Sequence, residues 1–140
     1  MSKNIDFIEK LRSSGLRPTK QRLKICEVLF NRDHTFHFTI NDLAKNISEE
    51  LKEKISLATV YNTVHAFKTK GYLKEISINS DKSYFDTNTT NHHHFFDEDT
   101  NELIDCNEEV IETPKIKKNI LGKKINSVEV LVKVATDNQN

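Results

Sequence analysis

The sequence predicts an α+β fold: an amino-terminal winged helix-turn-helix domain over residues 1–86, followed by a small α/β dimerisation domain over residues 87–140. Three observations predict it. A helix is written into Ser56–Val64 and stops at Gly71; helices with capping residues precede it; two short apolar runs joined by a turn follow it. In the first of these, Leu57, Val60, Tyr61, Val64 and Phe67 or Lys68 recur at the i, i+3, i+4, i+7 spacing of a buried stripe. The opposite face then presents Ala58, Thr59, Asn62, Thr63 and Ala66. Small and amide side chains near a helix N-terminus are what a recognition helix offers to base edges in the major groove. Ser56 can cap the first turn, and the open N–H groups there can also hold a phosphate. The plain alternative is a core helix with an inert outer face.

The neighbouring elements fit the first reading. Gly15-Leu16-Arg17-Pro18-Thr19 reads as a turn, with Pro18 ending the helix before it and Thr19 capping the helix after it. Leu23, Cys26 or Val28, and Phe30 are expected on the buried side of that helix. Thr39-Ile40-Asn41-Asp42 resembles a capping box, and Leu43 and Ile47 lie inside the short helix it opens. Tyr72–Ile78 and Ser83–Asp86 are apolar runs connected by the turn-prone Asn79-Ser80-Asp81, so they form a hairpin that would serve as the wing. In the second half, Phe95-Phe96 should pair toward Leu103-Ile104. A short helix is expected around Lys115–Leu121, and Ile125–Val134 alternates as a strand central to a small sheet. Helix on sheet with an exposed edge makes a dimer unit. The tail from Thr136 to Asn140 is expected to be disordered.

Composition sets the bounds. A chain of 140 residues with no tryptophan gives each half a thin core, which favours a dimer that completes the second half. No apolar run is long enough for a membrane span or a secretory signal, so a cytoplasmic protein is expected. Cys26 and Cys106 lie far apart in sequence; reduced thiols are the simpler reading, with a disulfide left open. Net charge is zero, but it is unevenly spread. Residues 1–86 carry 15 Lys+Arg against 11 Asp+Glu, and residues 87–140 carry 6 against 10. A basic amino half is what phosphate contact requires.

The motifs Gly15-Leu16-Arg17-Pro18-Thr19 with Gln21-Arg22, the block Ser56–Tyr61, Gly71-Tyr72-Leu73 and His92-His93-His94 resemble the ferric uptake regulator family of dimeric, metal-responsive bacterial repressors. Within it, His92–Phe96, Glu98-Asp99 and Glu102–Asp105 are most similar to the iron response regulator branch. The resemblance covers roughly residues 5–135. It implies a homodimer on A·T-rich palindromic duplex DNA.

Candidate DNA contacts divide by chemistry. Lys20, Arg22 and Lys24 are candidate phosphate clamps. The resemblance implies that Arg17, on the bend fixed by Pro18, enters a narrow A·T-rich minor groove. Ser56, Ala58, Thr59, Tyr61 and Asn62 are the candidate contacts at the helix itself. Tyr61 and Ala58 can touch thymine methyls, and Asn62 can pair with adenine N6 and N7. Many relatives carry arginine where Asn62 stands, so preference at one base should move from guanine toward adenine. Tyr61 also falls at the edge of the apolar stripe and can instead be half core.

The histidines suggest a metal. In a strand, His92 and His94 point together and His93 is opposed. With His37 and Asp86 they make three nitrogens and a carboxylate, a set suited to Zn(II), Fe(II) or Mn(II). The same four residues resemble the family's interdomain metal site, where the carboxylate is usually glutamate. Asn91, His93, Glu112 and Val128 stand where the family's second site would draw its ligands. Asn91 ligates poorly and Val128 not at all, so only His93 and Glu112 remain of it. The paired Cys-x-x-Cys motifs of many relatives are missing; Asp97 and Thr100 stand where one pair would fall, and Cys106 is alone. In the iron response regulator branch haem is the implied signal, and His93 or a neighbour would be its axial ligand. The branch's Cys-Pro haem motif is absent.

Other readings are weaker. Asp97–Glu108 nearly matches a calcium loop, but Glu102 occupies the position where the sharp turn calls for glycine; strand–turn–strand fits better. A catalytic zinc enzyme lacks any supporting nucleophile motif, phosphate loop or cofactor loop. A metal or haem buffer without DNA function leaves the basic first half and Ser56–Tyr61 unexplained. A regulator of the same family responding to peroxide, zinc or manganese is the nearest rival within the family.

Overall fold

A computed structural model of the chain describes residues 2–138, with side chains from Asp6 onward. The elements are α1 (Ser2–Ser13), α2 (Lys20–Phe30), β1 (His37–Phe38), α3 (Ile40–Leu51), α4 (Leu57–Lys70), β2 (Lys74–Ser77), β3 (Ser83–Asp86), β4 (His93–Asp97), β5 (Glu102–Cys106) and β6 (Leu131–Val134). They gather into two compact units, Met1–Thr89 and Thr90–Asn140. No described helix is long and apolar enough to cross a membrane.

In the first unit, local chemistry starts and stops the helices. Thr19 Oγ1 accepts the Arg22 N–H at 3.3 Å, Thr39 Oγ1 the Asp42 N–H at 3.2 Å, and Ser56 Oγ the Thr59 N–H at 3.1 Å. Each removes one orphan donor from a helix start. α4 ends at Gly71, whose φ of +91° suits a residue without Cβ, while the Tyr72 N–H reaches back to the Phe67 carbonyl at 2.9 Å. α1 ends earlier than Pro18 would require. Gly15, at φ +79°, closes it with its N–H on the Arg12 carbonyl at 3.0 Å.

The four helices pack around Leu11, Ile25, Leu29, Leu43, Ile47 and Val64, all buried. On α2, Cys26 is buried as expected, but Ile25 and Leu29 lead that face; Leu23, Val28 and Phe30 are only partly covered. The α4 stripe also runs differently. Val60, Thr63, Val64 and Phe67 are buried, whereas Leu57 and Tyr61 are 53% and 51% exposed. The true stripe has the same helical spacing, rotated by one position, and the first turn projects past the core. Thr63 tolerates burial because its hydroxyl donates to the Thr59 carbonyl at 2.7 Å.

A three-stranded antiparallel sheet of order β1-β3-β2 closes this unit. The β2–β3 hairpin turns as anticipated, with Asn79 Oδ1 accepting the Asp81 N–H at 2.9 Å. β1 was not anticipated; two residues are too few to leave a periodic signal.

The second unit is a three-stranded sheet of order β5-β4-β6. β4 and β5 pair antiparallel with Phe95 opposite Ile104 and Phe96 opposite Leu103, the expected register. Asp97 Oδ1 accepts the N–H groups of Asp99 and Thr100 at 2.9 and 3.3 Å, so this carboxylate closes its own turn. Two expectations are corrected. The segment Lys115–Leu121 is not helical. Seven residues are too short to hold a helix without packing, three of them are lysines, and Ile116, Ile120 and Leu121 are exposed. The strand over Ile125–Val134 is confined to Leu131–Val134 and lies at the sheet edge, parallel to the central β4. At Val130 the ladder meets a side chain, because the Val130 N–H is taken by His93 Nδ1 at 2.9 Å. Of the tail, Thr136 donates its N–H to Asp99; Gln139 and Asn140 lie outside the described residues.

Candidate functional site

The outer face at the start of α4 is the first candidate. Ser56, Leu57, Ala58, Tyr61 and Asn62 are exposed, and Thr59 is half-buried. Ser56 and Thr59 are mutually engaged, Oγ to Oγ1 at 2.8 Å, in addition to the cap. Ala58, Tyr61 and Asn62 are thus the candidates whose side chains face outward without a capping duty. Leu57, assigned to the core from its spacing, joins them.

The cationic candidates separate. Arg17 and Lys20 are exposed. Lys20 Nζ stands 3.9 Å from Glu53, with its side chain 76% exposed; an ion pair this exposed holds it only weakly. Arg22 is half-buried and donates from Nη1 to the Arg17 carbonyl at 3.1 Å. It shapes the turn that presents Arg17. Lys24 is tied differently: its ammonium lies 3.4 Å from both Glu27 and Glu50. Burial pulls its pKa down, but the two carboxylates outweigh this and hold it above the ordinary lysine value.

The histidine run is the second candidate. His92 and His94 lie together, ring centroids 4.4 Å apart. Both aim Nε2 at Asp105 Oδ1, at 3.3 and 3.0 Å. Ligand atoms of the three residues all lie within 4.8 Å of one another. The hydrogen-bond logic of His92 is informative. Its Nδ1 is 2.8 Å from the Thr90 carbonyl. A carbonyl only accepts, so Nδ1 carries a proton, and in the neutral ring Nε2 presents a lone pair. That lone pair faces a carboxylate oxygen, another acceptor. Two acceptors at this distance are reconciled by a proton or by a metal ion between them. An imidazole whose far nitrogen is fixed on a carbonyl is the usual outer support of a metal ligand. The donor set therefore fits a divalent metal.

Asp105 was missed from the sequence. The signal was present: pairing Phe95 with Ile104 puts His94 opposite Asp105 across the hairpin.

His93 points the other way, as strand alternation requires, and is buried. Since Nδ1 accepts the Val130 N–H, Nε2 carries the proton and donates to Thr113 Oγ1 at 2.8 Å. The Thr113 hydroxyl passes on to Glu108 Oε1 at 2.6 Å. Both ring nitrogens are occupied, so His93 can serve as a haem ligand only by breaking this chain. Glu112, the other residue of the second-site remnant, is exposed.

In the first unit, His37 and Asp86 are direct cross-strand partners, as are Lys74 and Asp86. Directly opposed residues share a sheet face, so an imidazole and an ammonium flank the buried carboxylate. Asp86 also accepts the Asn88 N–H at 2.8 Å. Burial lowers the Lys74 pKa, and Asp86 works against that shift. The His37 ring meets Tyr84 edge-on at 6.0 Å. Both cysteines are free and buried; burial pushes the Cys26 thiol up to about 12, which leaves it inert.

Comparison with known proteins places this chain. It is 37% identical over 100 residues to the peroxide-responsive repressor PerR of Staphylococcus aureus, covering 71% of this chain and 66% of that repressor. It thus spans just under two thirds of the length of such curated relatives. Among solved structures, the Vibrio cholerae ferric uptake regulator superposes with a TM-score of 0.64 and 28% identity, covering 91% of this chain and 98% of that one. The ferric uptake regulator of Pseudomonas aeruginosa, solved with manganese, gives 0.67 at 24% identity over 99% and 100%, a likeness of fold alone. The model of the ferric uptake regulator family matches residues 13–134, and the chain belongs to that family.

Proposed function

We propose that this protein is a DNA-binding transcriptional repressor of iron homeostasis genes, acting as a cytoplasmic homodimer whose affinity for an A·T-rich palindrome depends on a bound metal or haem. The first unit is read as a winged helix, with α4 in the major groove and the β2–β3 hairpin as the wing. The observation that carries the DNA reading is the capped start of α4, where Leu57, Ala58, Tyr61 and Asn62 are exposed together. Apolar and amide groups there match thymine methyls and the adenine edge. Arg17 and Lys20 supply phosphate or minor-groove contact, and Arg22 supports Arg17.

The sensing role is assigned to His92, His94 and Asp105, with His37 and Asp86 of the first unit as the further ligands that membership of the family suggests. Two or three imidazoles with carboxylate oxygens suit Fe(II), Mn(II) or Zn(II). A bound divalent ion would supply fixed positive charge that neutralises the carboxylates. The haem reading of the iron response regulator branch rests on sequence likeness at His92–Phe96. No nucleophile or cofactor loop supports an enzyme.

One observation favours a second reading: the relative at 37% identity is a peroxide-responsive repressor. Iron ligated by histidine and carboxylate is open to oxidation by peroxide, while manganese in the same ligands is not.

Duplex affinity measured for the apo, Fe(II), Mn(II), Zn(II) and haem forms, and for His92→Ala and His94→Ala, tests both. Affinity that changes with one metal and loses that dependence in both variants supports metal sensing. Peroxide that alters binding by the Fe(II) form and spares the Mn(II) form selects the second reading. No binding to any duplex at low salt ends the DNA reading.

A further inference from the structure

We propose that His65 is a positioning residue that holds the Tyr61 ring in one orientation for contact with thymine on duplex DNA. The inference rests on α4 being the DNA-reading helix, and it deepens that reading.

Tyr61 is 51% exposed, yet it is not a loose side chain. One turn further along α4, at i+4, the His65 imidazole lies against it, with ring centroids 4.1 Å apart and planes tilted by 37°. His65 meets Phe85 edge-on, centroid to centroid at 5.4 Å and 78°. Phe85 is 2% exposed, sits in β3, and stacks on Phe38 across the sheet. The buried sheet therefore fixes His65, and His65 fixes Tyr61.

The aromatic contacts are what hold the imidazole. Beside it opens a cleft of about 340 Å³ lined by Ser13, Ser14, Ala66, Thr69 and Lys70, so packing from α1 does not confine the ring. The charged groups nearby are Lys70, in the lining of that cleft, and Glu75, which is paired with Lys68. An ordered exposed ring binds with less loss of rotamer freedom than a free one. A planar, fixed Tyr61 also presents one face to a thymine methyl and rejects bases that lack it. The exposed aromatic is thereby a preorganised reader, and His65 acts through it without touching DNA.

The test uses the full chain labelled with 3-fluorotyrosine. The protein has three tyrosines, so three resonances are expected, and Tyr61→Phe identifies one of them. In the free protein, His65→Ala should move the Tyr61 resonance toward that of exposed tyrosine and leave the Tyr72 and Tyr84 resonances in place. His65→Phe should retain its position. On an A·T-rich palindrome, His65→Ala and Tyr61→Ala should each lose about three- to tenfold in affinity. The double variant should lose little more than either alone, and His65→Phe should recover most of the loss. Wild-type binding with unchanged affinity in His65→Ala overturns this proposal and leaves the DNA reading intact. Losses that multiply in the double variant also overturn it. A wild-type chain that binds no duplex, with the fluorine shifts as expected, overturns the DNA reading and this role with it.

Discussion

His92 and His93 are adjacent and have opposite tasks, which alternation along β4 makes possible. His92 has one nitrogen on the Thr90 carbonyl and the other facing Asp105. His93 has both nitrogens committed, one to Val130 and one to Thr113. His93→Ala therefore removes two hydrogen bonds and orphans a main-chain N–H beside the sheet. It should cost about 2–3 kcal/mol in the urea unfolding of the metal-free protein. His92→Ala loses one hydrogen bond and should cost less, about 1 kcal/mol. It should nevertheless weaken Mn(II) binding by more than the about 10–100-fold typical of losing an outer support. Equal destabilisation by the two variants would refute this division of labour.

At the scale of elements, the helices were legible because their ends are chemical. Thr19, Thr39 and Ser56 cap where the sequence places them, and Gly71 stops α4. The hairpins were legible because turn residues separate alternating runs. What failed depended on partners that sequence does not reveal. Leu57 and Tyr61 belong to a stripe that is one of two neighbouring helical faces, and only packing chooses between them. Thr63 looked like a surface residue until its hydroxyl found the Thr59 carbonyl. The segment Lys115–Leu121 has apolar residues at helical spacing, but Ile116, Ile120 and Leu121 stay exposed. Asp105 was hidden because its role comes from cross-strand register and not from spacing along the chain.

The Lys68–Glu75 pair, joining α4 to β2, gives a prediction at this same scale. The hydrogen bond from the Lys68 ammonium holds the Glu75 carboxyl below the ordinary glutamate value, against the opposing effect of burial. A folded pKa below the unfolded one means the stabilisation is fully present above the unfolded value. It is lost as pH falls through the folded value. The Lys68 side chain is 43% exposed, so the pair is worth roughly 0.5–1 kcal/mol at neutral pH. Glu75→Gln should thus lower the urea midpoint at neutral pH and converge on wild type in acid. A gap that persists unchanged below the titration of carboxylates would mean that Gln disturbs packing instead.

For the whole molecule, the proposed function requires linkage between the two candidate sites. The basic excess lies in residues 1–86 and the acidic excess in residues 87–140, so the phosphate contact and metal ligation proposed for this chain would draw on oppositely charged parts of it. If metal at His92, His94 and Asp105 changes duplex affinity by some factor, duplex must change metal affinity by the same factor. The sign is free, but the equality is not. Coupling of this kind usually amounts to about 5–150-fold. Mn(II) affinity measured with and without saturating palindrome should therefore differ by the ratio found when duplex affinity is measured with and without Mn(II). Both titrations should be run at one ionic strength, because counterion release alone moves DNA affinity steeply. The same ratio should fall to one in Asp105→Asn if that carboxylate carries the link. Mn(II) affinity indifferent to duplex, in a protein that binds both, would make the histidine cluster a structural site and leave the regulatory signal to be sought elsewhere.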